Sequence, residues 1–319
     1  MAKDSLRDTD EFMLPPHALE TLERHSASAQ VQVDLSGMSH RGLVRPRNED
    51  TFLMVRGDRG LTVLATNLPK EIMPPRFDVL GFGMLVADGM GGMSAGDVAS
   101  RMAAQTLIAL VVNTPDWIML TGEQQNETIL ARMAERYQKV DATIRDEAAV
   151  DPKLTGMGTT MTVAYSLGTD LFLGHVGDSR AYLLRDGRLR RLTHDHTIAQ
   201  ALADLGAIPP HTVVTHHFRH ALTRYLGGQK PVKTDVQHAR LEDGDQVLLC
   251  TDGLTGMVDD DAIAVILREA KTADAACQAL IDAALKKGGK DNVTVALARY
   301  RFPTEAEKAR PTNVPDFTG

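Results

Sequence analysis

Thr160-Met-Thr-Val-Ala-Tyr-Ser-Leu-Gly-Thr-Asp170-Leu-Phe-Leu-Gly-His-Val-Gly-Asp-Ser-Arg180-Ala-Tyr-Leu-Leu-Arg-Asp-Gly-Arg-Leu-Arg-Arg-Leu192 holds four strand-like runs in one unbroken stretch. They cover 160–166, 171–176, 181–184 and 188–192. Asp186-Gly187 is a two-residue hairpin signal. A parallel neighbour needs a crossover of a dozen residues or more, so strands this close together pair antiparallel.

The pattern extends in both directions. Upstream, 31–35, 51–55 and 61–65 read as strands, and 70–78, with Pro74-Pro75, reads as a loop. The run 82–87 is a buried strand ending at Asp88. A helix then starts at Ser94, with Asp97 completing a capping-box-like pair. Val98, Met102, Leu107 and Val111 follow at helical spacing, and a second helix covers 125–148 with Ile129, Met133 and Tyr137 on one face. Downstream lie a short helix at 198–205 and a strand at 247–250. Helices at 260–269 and 273–286, closed by Gly288-Gly289, precede a last strand at 293–300. Helices that come in pairs between runs of strands imply segregated layers. The expected class is α+β, with two packed antiparallel sheets flanked by helix pairs. Residues 1–28 form a polar arm, 29–302 a single domain and 303–319 a loose tail. The irregular, proline- and histidine-rich 195–228 is a flap over the site or an ordered surface excursion without a gating role.

Composition narrows the classes. The chain has 319 residues, 43% hydrophobic and 24% charged, enough to bury a sizeable core. A formal net charge of −7 argues against nucleic acid as a partner. No window reads as a membrane span, and the polar N-terminus does not resemble a secretory signal, so a cytoplasmic protein is expected. Cys250 and Cys277 sit in apolar stretches and read as reduced core thiols. Zinc lacks its usual ligand spacing. His211, His216, His217 and His220 read as part of a solvated loop, not as a metal cluster.

Four aspartates stand beside turn-forming residues: Arg45-Pro-Arg-Asn-Glu49-Asp50, Val86-Ala-Asp88-Gly89-Met-Gly-Gly92, Thr251-Asp252-Gly253 and Lys290-Asp291-Asn292. Carboxylates near strand ends next to glycine suit hard divalent cations such as Mg²⁺ or Mn²⁺. Each fragment also has a plainer reading. Arg45 neutralises Glu49 or grips a phosphate. Asp88 ligates a metal beside an exposed backbone carbonyl or caps a tight turn, and the glycines could instead cradle phosphate. No Lys-Ser/Thr pair follows, so a P-loop is excluded. Gly177-Asp178-Ser179-Arg180 lacks the surroundings of a serine nucleophile. It reads as a turn in which Asp178 bonds backbone or supports a metal shell.

Taken in order, these fragments together with Met157-Gly-Thr-Thr160 and Thr193-x-Asp195-His196 resemble the PP2C (PPM) family of metal-dependent serine/threonine protein phosphatases, most closely its bacterial branch. The similarity spans about 36–300. It implies a four-layer α/β/β/α fold and two Mn²⁺ or Mg²⁺ ions at one end of the sandwich. By position, Asp50 bridges the ions, Asp88 and the Gly89 carbonyl complete one site, and Asp252 and Asp291 complete the other. Glu49 acts through water, Asn292 supports Asp291, and Arg45 holds the substrate phosphate. The resemblance also allows a third ion on Asp252, with Asp151 as the nearby acid. The implied reaction is attack of a metal-bridged hydroxide on phosphoserine or phosphothreonine in proteins, opposing a serine/threonine kinase. A histidine that some members place after the Asp-Gly pair is replaced by Met90, which leaves water, or His40, to protonate the leaving group. A monomer is expected. A non-catalytic regulator of the same fold and a small-molecule metallophosphoesterase are the alternatives.

Overall fold

The computed structural model describes residues 31–62, 76–91, 95–113 and 123–303. The strands are β1 (Gln32–His40), β2 (Asp50–Thr62), β3 (Arg76–Met90), β4 (Gly158–Thr159), β5 (Met161–Leu167), β6 (Asp170–Val176), β7 (Arg180–Arg185), β8 (Arg188–Arg191), β9 (Asp235–Arg240), β10 (Gln246–Cys250) and β11 (Val293–Arg301). The α-helices are α1 (Ala95–Val112), α2 (Glu123–Val150), α3 (Ile198–Asp204), α4 (Asp252–Thr255), α5 (Asp260–Glu269) and α6 (Ala273–Lys286). One sheet is ordered β1-β11-β10-β7-β8 and the other β2-β3-β5-β6-β9, with β4 paired to the end of β3. All these pairings are antiparallel.

Period-two alternation builds the layers. In β10, Val247 and Leu249 enter the core between the sheets, joined by Met84, Val86, Leu171, Leu173, Leu183 and Ala296. Leu248 and Cys250 point the other way, toward Ile263 and Leu267 of α5 and Cys277 and Leu280 of α6. On the far side, Leu85, Val163 and Phe172 pack on Ala99 and Ala103 of α1 and Tyr137 and Ile144 of α2. A strand buried on both faces reads as a continuous apolar run, which is why 247–250 stands out in the sequence. The four-layer α/β/β/α arrangement is as expected, and Cys250 and Cys277 are buried free thiols.

The structure departs from expectation in several elements. The proposed strand at 61–65 begins as the end of β2, and 63–65 lie outside the described residues. Residues 76–78, read as loop, belong to β3, which also continues past Asp88 to Met90. Proline at 74 and 75 drew the loop reading too far along the chain. Ser94 and the 1–28 arm lie outside the described residues, so the capping pair has only Asp97, which bonds Arg101 at 3.2 Å. Strand β9 was missed because Asp-Val-Gln-His-Ala-Arg, a polar edge strand, carries little apolar signal. Helix α1 is, by length and hydropathy, apolar enough to cross a membrane, contrary to the sequence reading. Here its small residues Ala95, Ala99 and Ala103 pack in the core.

The segment 195–228 is tied down at both ends. Thr197 bridges Leu222, and Thr159 of β4 bridges the fully buried Leu226. Between them lie α3, whose N-cap hydroxyl on Thr197 accepts from the Gln200 amide, and a 3₁₀ turn at Pro210–Thr215.

Truncating the fully buried Leu249 to alanine is expected to cost about 2–5 kcal/mol in urea unfolding, because the inter-sheet core cannot collapse around the lost volume. The same truncation at the half-exposed Val265 of α5 should stay within about 0.5 kcal/mol.

Candidate metal centre and active site

The β2–β3 register places Asp50 directly opposite Asp88. Cross-strand partners share a face, so the ladder itself brings two carboxylates together. Asp50 Oδ2 accepts a hydrogen bond from Thr251 Oγ1 at 2.8 Å, while its Oδ1 is buried and has no hydrogen-bond partner. Thr251 in turn accepts from the Thr294 amide at 3.0 Å, joining Asp50 to β11. The Asp88 backbone is clamped by Thr160: its amide donates to Thr160 Oγ1 at 2.9 Å and its carbonyl accepts from the Thr160 amide at 2.9 Å.

Gly89 shows why this segment needs glycine. A Cβ there would stand 2.0 Å from the Gly96 carbonyl oxygen in the first turn of α1. The helix N-terminus therefore comes close to the carboxylates only because a side chain is missing. The Glu49 carbonyl is fixed in the same corner, accepting from Ser100 Oγ at 2.6 Å and the Gly89 amide at 3.2 Å.

Asp291 and Arg45 form an ion pair at 2.7 Å, about half exposed on the arginine side. An exposed pair of this kind adds little stability, so the position is open to other duties. Asn292 fixes the surrounding loop. Its Nδ2 donates to the carbonyls of both Arg41 and Arg47 at 2.8 Å, and its Oδ1 accepts from the Glu49 amide at 2.8 Å. Residues 41–47 are thereby pinned at both ends by one side chain, with Leu43 and Val44 standing 64% and 67% exposed at its crest. Gly253 permits this approach, since a Cβ there would lie 1.8 Å from the Asn292 carbonyl oxygen. Asp252 opens α4, a turn invisible to helical periodicity.

Asp178 follows Gly177, whose φ of 114° turns the chain between β6 and β7. Ligand atoms of Asp178, Asp252 and His220 all lie within 4.8 Å of one another, and His220 Nδ1 is 3.0 Å from Asp252 Oδ2. Sequence reasoning missed His220, and no local signal marks it. Only the path of the 195–228 segment brings it to α4. Asp151 instead accepts from the Lys153 amide at 2.9 Å, capping a 3₁₀ turn, and is not in this cluster. His40 accepts the Gly42 amide on Nδ1. The remaining motif residues build the base of the segment. Arg180 makes a bidentate pair with Asp195, at 3.0 Å from Nε and 2.7 Å from Nη2, and His196 accepts the Gly177 amide.

The electrostatics are those of crowded like charges. Burial pushes the Asp50 carboxyl up to about 7, with Asp252 and Asp291 adding to the rise and the Thr294 and Thr251 hydroxyls opposing it. Asp88 is raised well above the carboxylate range by burial, then by Asp50, Asp252, Asp178 and Asp291. Asp178 is raised by burial and then by Asp252 and Asp195, and Glu49 by burial and then by Asp97. Asp50, Asp88, Asp178, Asp252 and Asp291, from five separate segments, thus act on one another at one end of the sandwich, and Asp50 has an orphaned oxygen. Hard divalent cations fit this donor set, all oxygen apart from one imidazole.

A family model described as protein phosphatase 2C matches residues 78–287. The serine/threonine protein phosphatase PstP of Mycobacterium tuberculosis is 36% identical over 261 residues, covering 82% of this chain and 43% of that protein. Serine/threonine phosphatase stp of Listeria monocytogenes is 36% identical over 214 residues, covering 67% of this chain and 82% of that protein. The crystal structure of M. tuberculosis PstP superposes with a TM-score of 0.68 at 33% identity, covering 84% of this chain and 99% of that one. A PstP catalytic domain in complex with two manganese ions gives 0.66 at 32% identity, covering 85% and 99%. The chain belongs to the protein phosphatase 2C family. It spans less than half the length of the mycobacterial relative.

Metal-free protein should carry the mark of this crowding in its pH dependence. Near pH 4 and below, Asp50 is largely protonated in the folded state, so it costs little. As pH rises through 7 the unfolded chain is already ionised and the folded one must follow, so stability falls. Held near 7 instead of near 4, one carboxyl costs the folded state up to ~4 kcal/mol by pH 8. In EDTA, Asp50→Asn should match wild type near pH 4 and exceed it in chemical denaturation at pH 8. Parallel curves would remove the argument.

Proposed function

We propose that this chain is a metal-dependent phosphatase that hydrolyses phosphoserine and phosphothreonine in proteins, using two Mn²⁺ or Mg²⁺ ions and opposing a serine/threonine kinase. The observation that carries the reading is the convergence of Asp50, Asp88, Asp252 and Asp291, with Arg45 beside them, at one end of the sandwich. Asp50, Asp88, the Gly89 carbonyl, Asp252 and Asp291 would hold the two ions, with Asp50 central among the carboxylates. When bound, the ions acidify coordinated water and neutralise phosphate charge.

The protein's own groups supply the rest. Thr251 and, through it, the β11 backbone hold one Asp50 oxygen still while the other stays free of hydrogen bonds. Asn292 keeps Glu49, Arg41 and Arg47 in register, so that Arg45 is presented on a rigid loop. Its guanidinium, now on Asp291, offers a planar fork to phosphate oxygens once a cation takes over that carboxylate. Positioned donors of this kind stabilise charge developing on the transferring group. Leu43 and Val44 favour a protein substrate over a small metabolite. They extend the same rigid loop as an apolar step that a phosphate-bearing peptide could cover.

Release of phosphate from a phosphothreonine peptide and from p-nitrophenyl phosphate should require Mn²⁺ or Mg²⁺. Asp252→Asn should lower it at least about 100-fold, given that even outer-shell partners cost about 10–100-fold. Absence of both activities with metal, or full activity in Asp252→Asn, would reject the proposal. A Leu43→Ser, Val44→Ser double variant should lose about tenfold in kcat/KM on the peptide, equivalent to ~1.4 kcal/mol of apolar contact, and keep p-nitrophenyl phosphate hydrolysis within about twofold. Equal losses on both substrates would argue against a peptide step.

A further inference from the structure

The sheet ordered β1-β11-β10-β7-β8 ends on β8, and no strand lies on its outer side among the described residues. The Leu192 amide donates to the Ala181 carbonyl at 2.8 Å, and β7 and β8 keep one register from there to the Asp186-Gly187 turn. Bonded and non-bonded rungs alternate in an antiparallel pair. Arg188 and Arg190 therefore bond inward to β7, while the amides and carbonyls of Leu189 and Arg191 face out. Among the described residues no hydrogen bond reaches them there. Side chains alternate as well. Leu189 packs on the helix layer that holds Ile263 and Leu267 of α5, and Arg191 pairs with Asp195 at 3.4 Å. Arg188 and Arg190 share the opposite face and are exposed. Arg185, before the turn, is held by Asp245 at 2.6 Å. Arg188 and Arg190 have no side-chain hydrogen bond or ion pair among the described residues.

We propose that the open edge of β8 is a docking site that takes up an acidic, extended segment of the protein substrate as a further strand. Main-chain bonds to Leu189 and Arg191 supply affinity, and alternate carboxylates on the segment meet Arg188 and Arg190. Charges on an edge strand ordinarily keep it from pairing with itself. That holds here, since a second copy of β8 would bring arginine against arginine. A segment with carboxylates two residues apart turns the same charges from a barrier into a selector. The chain as a whole carries −7, so long-range attraction does not gather acidic segments and recognition has to be local. β8 also runs toward the carboxylate end of the sandwich. Its last residue, Arg191, stands opposite Tyr182, and Asp178 lies four positions before Tyr182, about 13 Å of extended chain. The docked segment and the phosphorylated residue can therefore belong to one peptide. Assigning the segment to a substrate rests on the phosphatase reading above; strand addition itself does not.

The test uses the full chain and a fluorescein-labelled peptide that alternates glutamate with threonine. The peptide should bind and slow amide exchange at Leu189 and Arg191. It should bind at least about tenfold more weakly to an Arg188→Glu, Arg190→Glu double variant. A peptide alternating lysine with threonine should show the reverse preference, which a variant that had merely unfolded would not. N-methylation of the peptide amides leaves the charge untouched and should abolish binding. In kinetics, a phosphothreonine peptide carrying the glutamate–threonine segment should have a KM about tenfold below that of the same peptide without it, and the double variant should erase the difference. Binding that survives N-methylation would mark a general polyanion patch and overturn strand addition, as would equal affinity for wild type and double variant. Equal KM values with and without the segment would overturn its assignment to the substrate. Phosphate release from neither peptide with Mn²⁺ would reject the phosphatase reading, and with it the substrate assignment but not the edge.

Discussion

Electrostatic repulsion among carboxylates is the constraint around which the molecule is arranged. Asp50 faces Asp88 across one rung of the β2–β3 ladder, and Asp252, Asp291 and Asp178 act on the same pocket. Nothing in the local sequence favours this. It is maintained by strands whose opposite faces are committed to two separate hydrophobic layers, so that moving a carboxylate away would require breaking register and turning apolar side chains outward. The cost of gathering the charges is met by the sandwich, and cations reverse its sign. A site that is unfavourable when empty of cations is one that binds them.

The residues around the carboxylates divide into those positioned to meet ions or phosphate and those that hold them there. Asn292 belongs to the second group. One side-chain amide satisfies the carbonyls of Arg41 and Arg47 and the amide of Glu49, closing the loop that carries Arg45. Thr251 does the same for Asp50. The Arg180–Asp195 pair and His196 secure the base of the 195–228 segment. Motif residues therefore persist here for two physical reasons, and proximity in sequence to a ligand does not say which one applies.

How much could be read from the sequence follows from the range over which each signal acts. Buried strands such as β10 and amphipathic helices such as α2 write their identity into residues only a few positions apart, and the layer order followed from them. The clustered aspartates were visible because glycines and apolar runs mark where backbones must come close. β9 was not, since an edge strand needs no apolar side chains. His220 was not, because its meaning depends on a path of more than twenty residues from Asp195 that no periodicity describes. Asp151 carries a local duty that the sequence did not announce: it is the N-cap of the 3₁₀ turn beginning at Pro152.

The cleft has two unlike rims, and their difference bears on how a substrate is handled. On one side the loop of Arg45, Leu43 and Val44 is tied to Asn292 and to the Gly289 carbonyl through the Leu43 amide at 2.7 Å. Apart from the Arg45–Asp291 ion pair, the bonds that anchor this rim run between amides and carbonyls and involve no carboxylate. On the other side His220 reaches the centre through Asp252, so its placement depends on what else binds that carboxylate. On the proposed function, phosphate recognition and peptide contact would reside on the anchored rim. Placing the arginine on the fixed side is the physically economical choice. A guanidinium is useful to a transferring phosphate only if its orientation is settled before the substrate arrives.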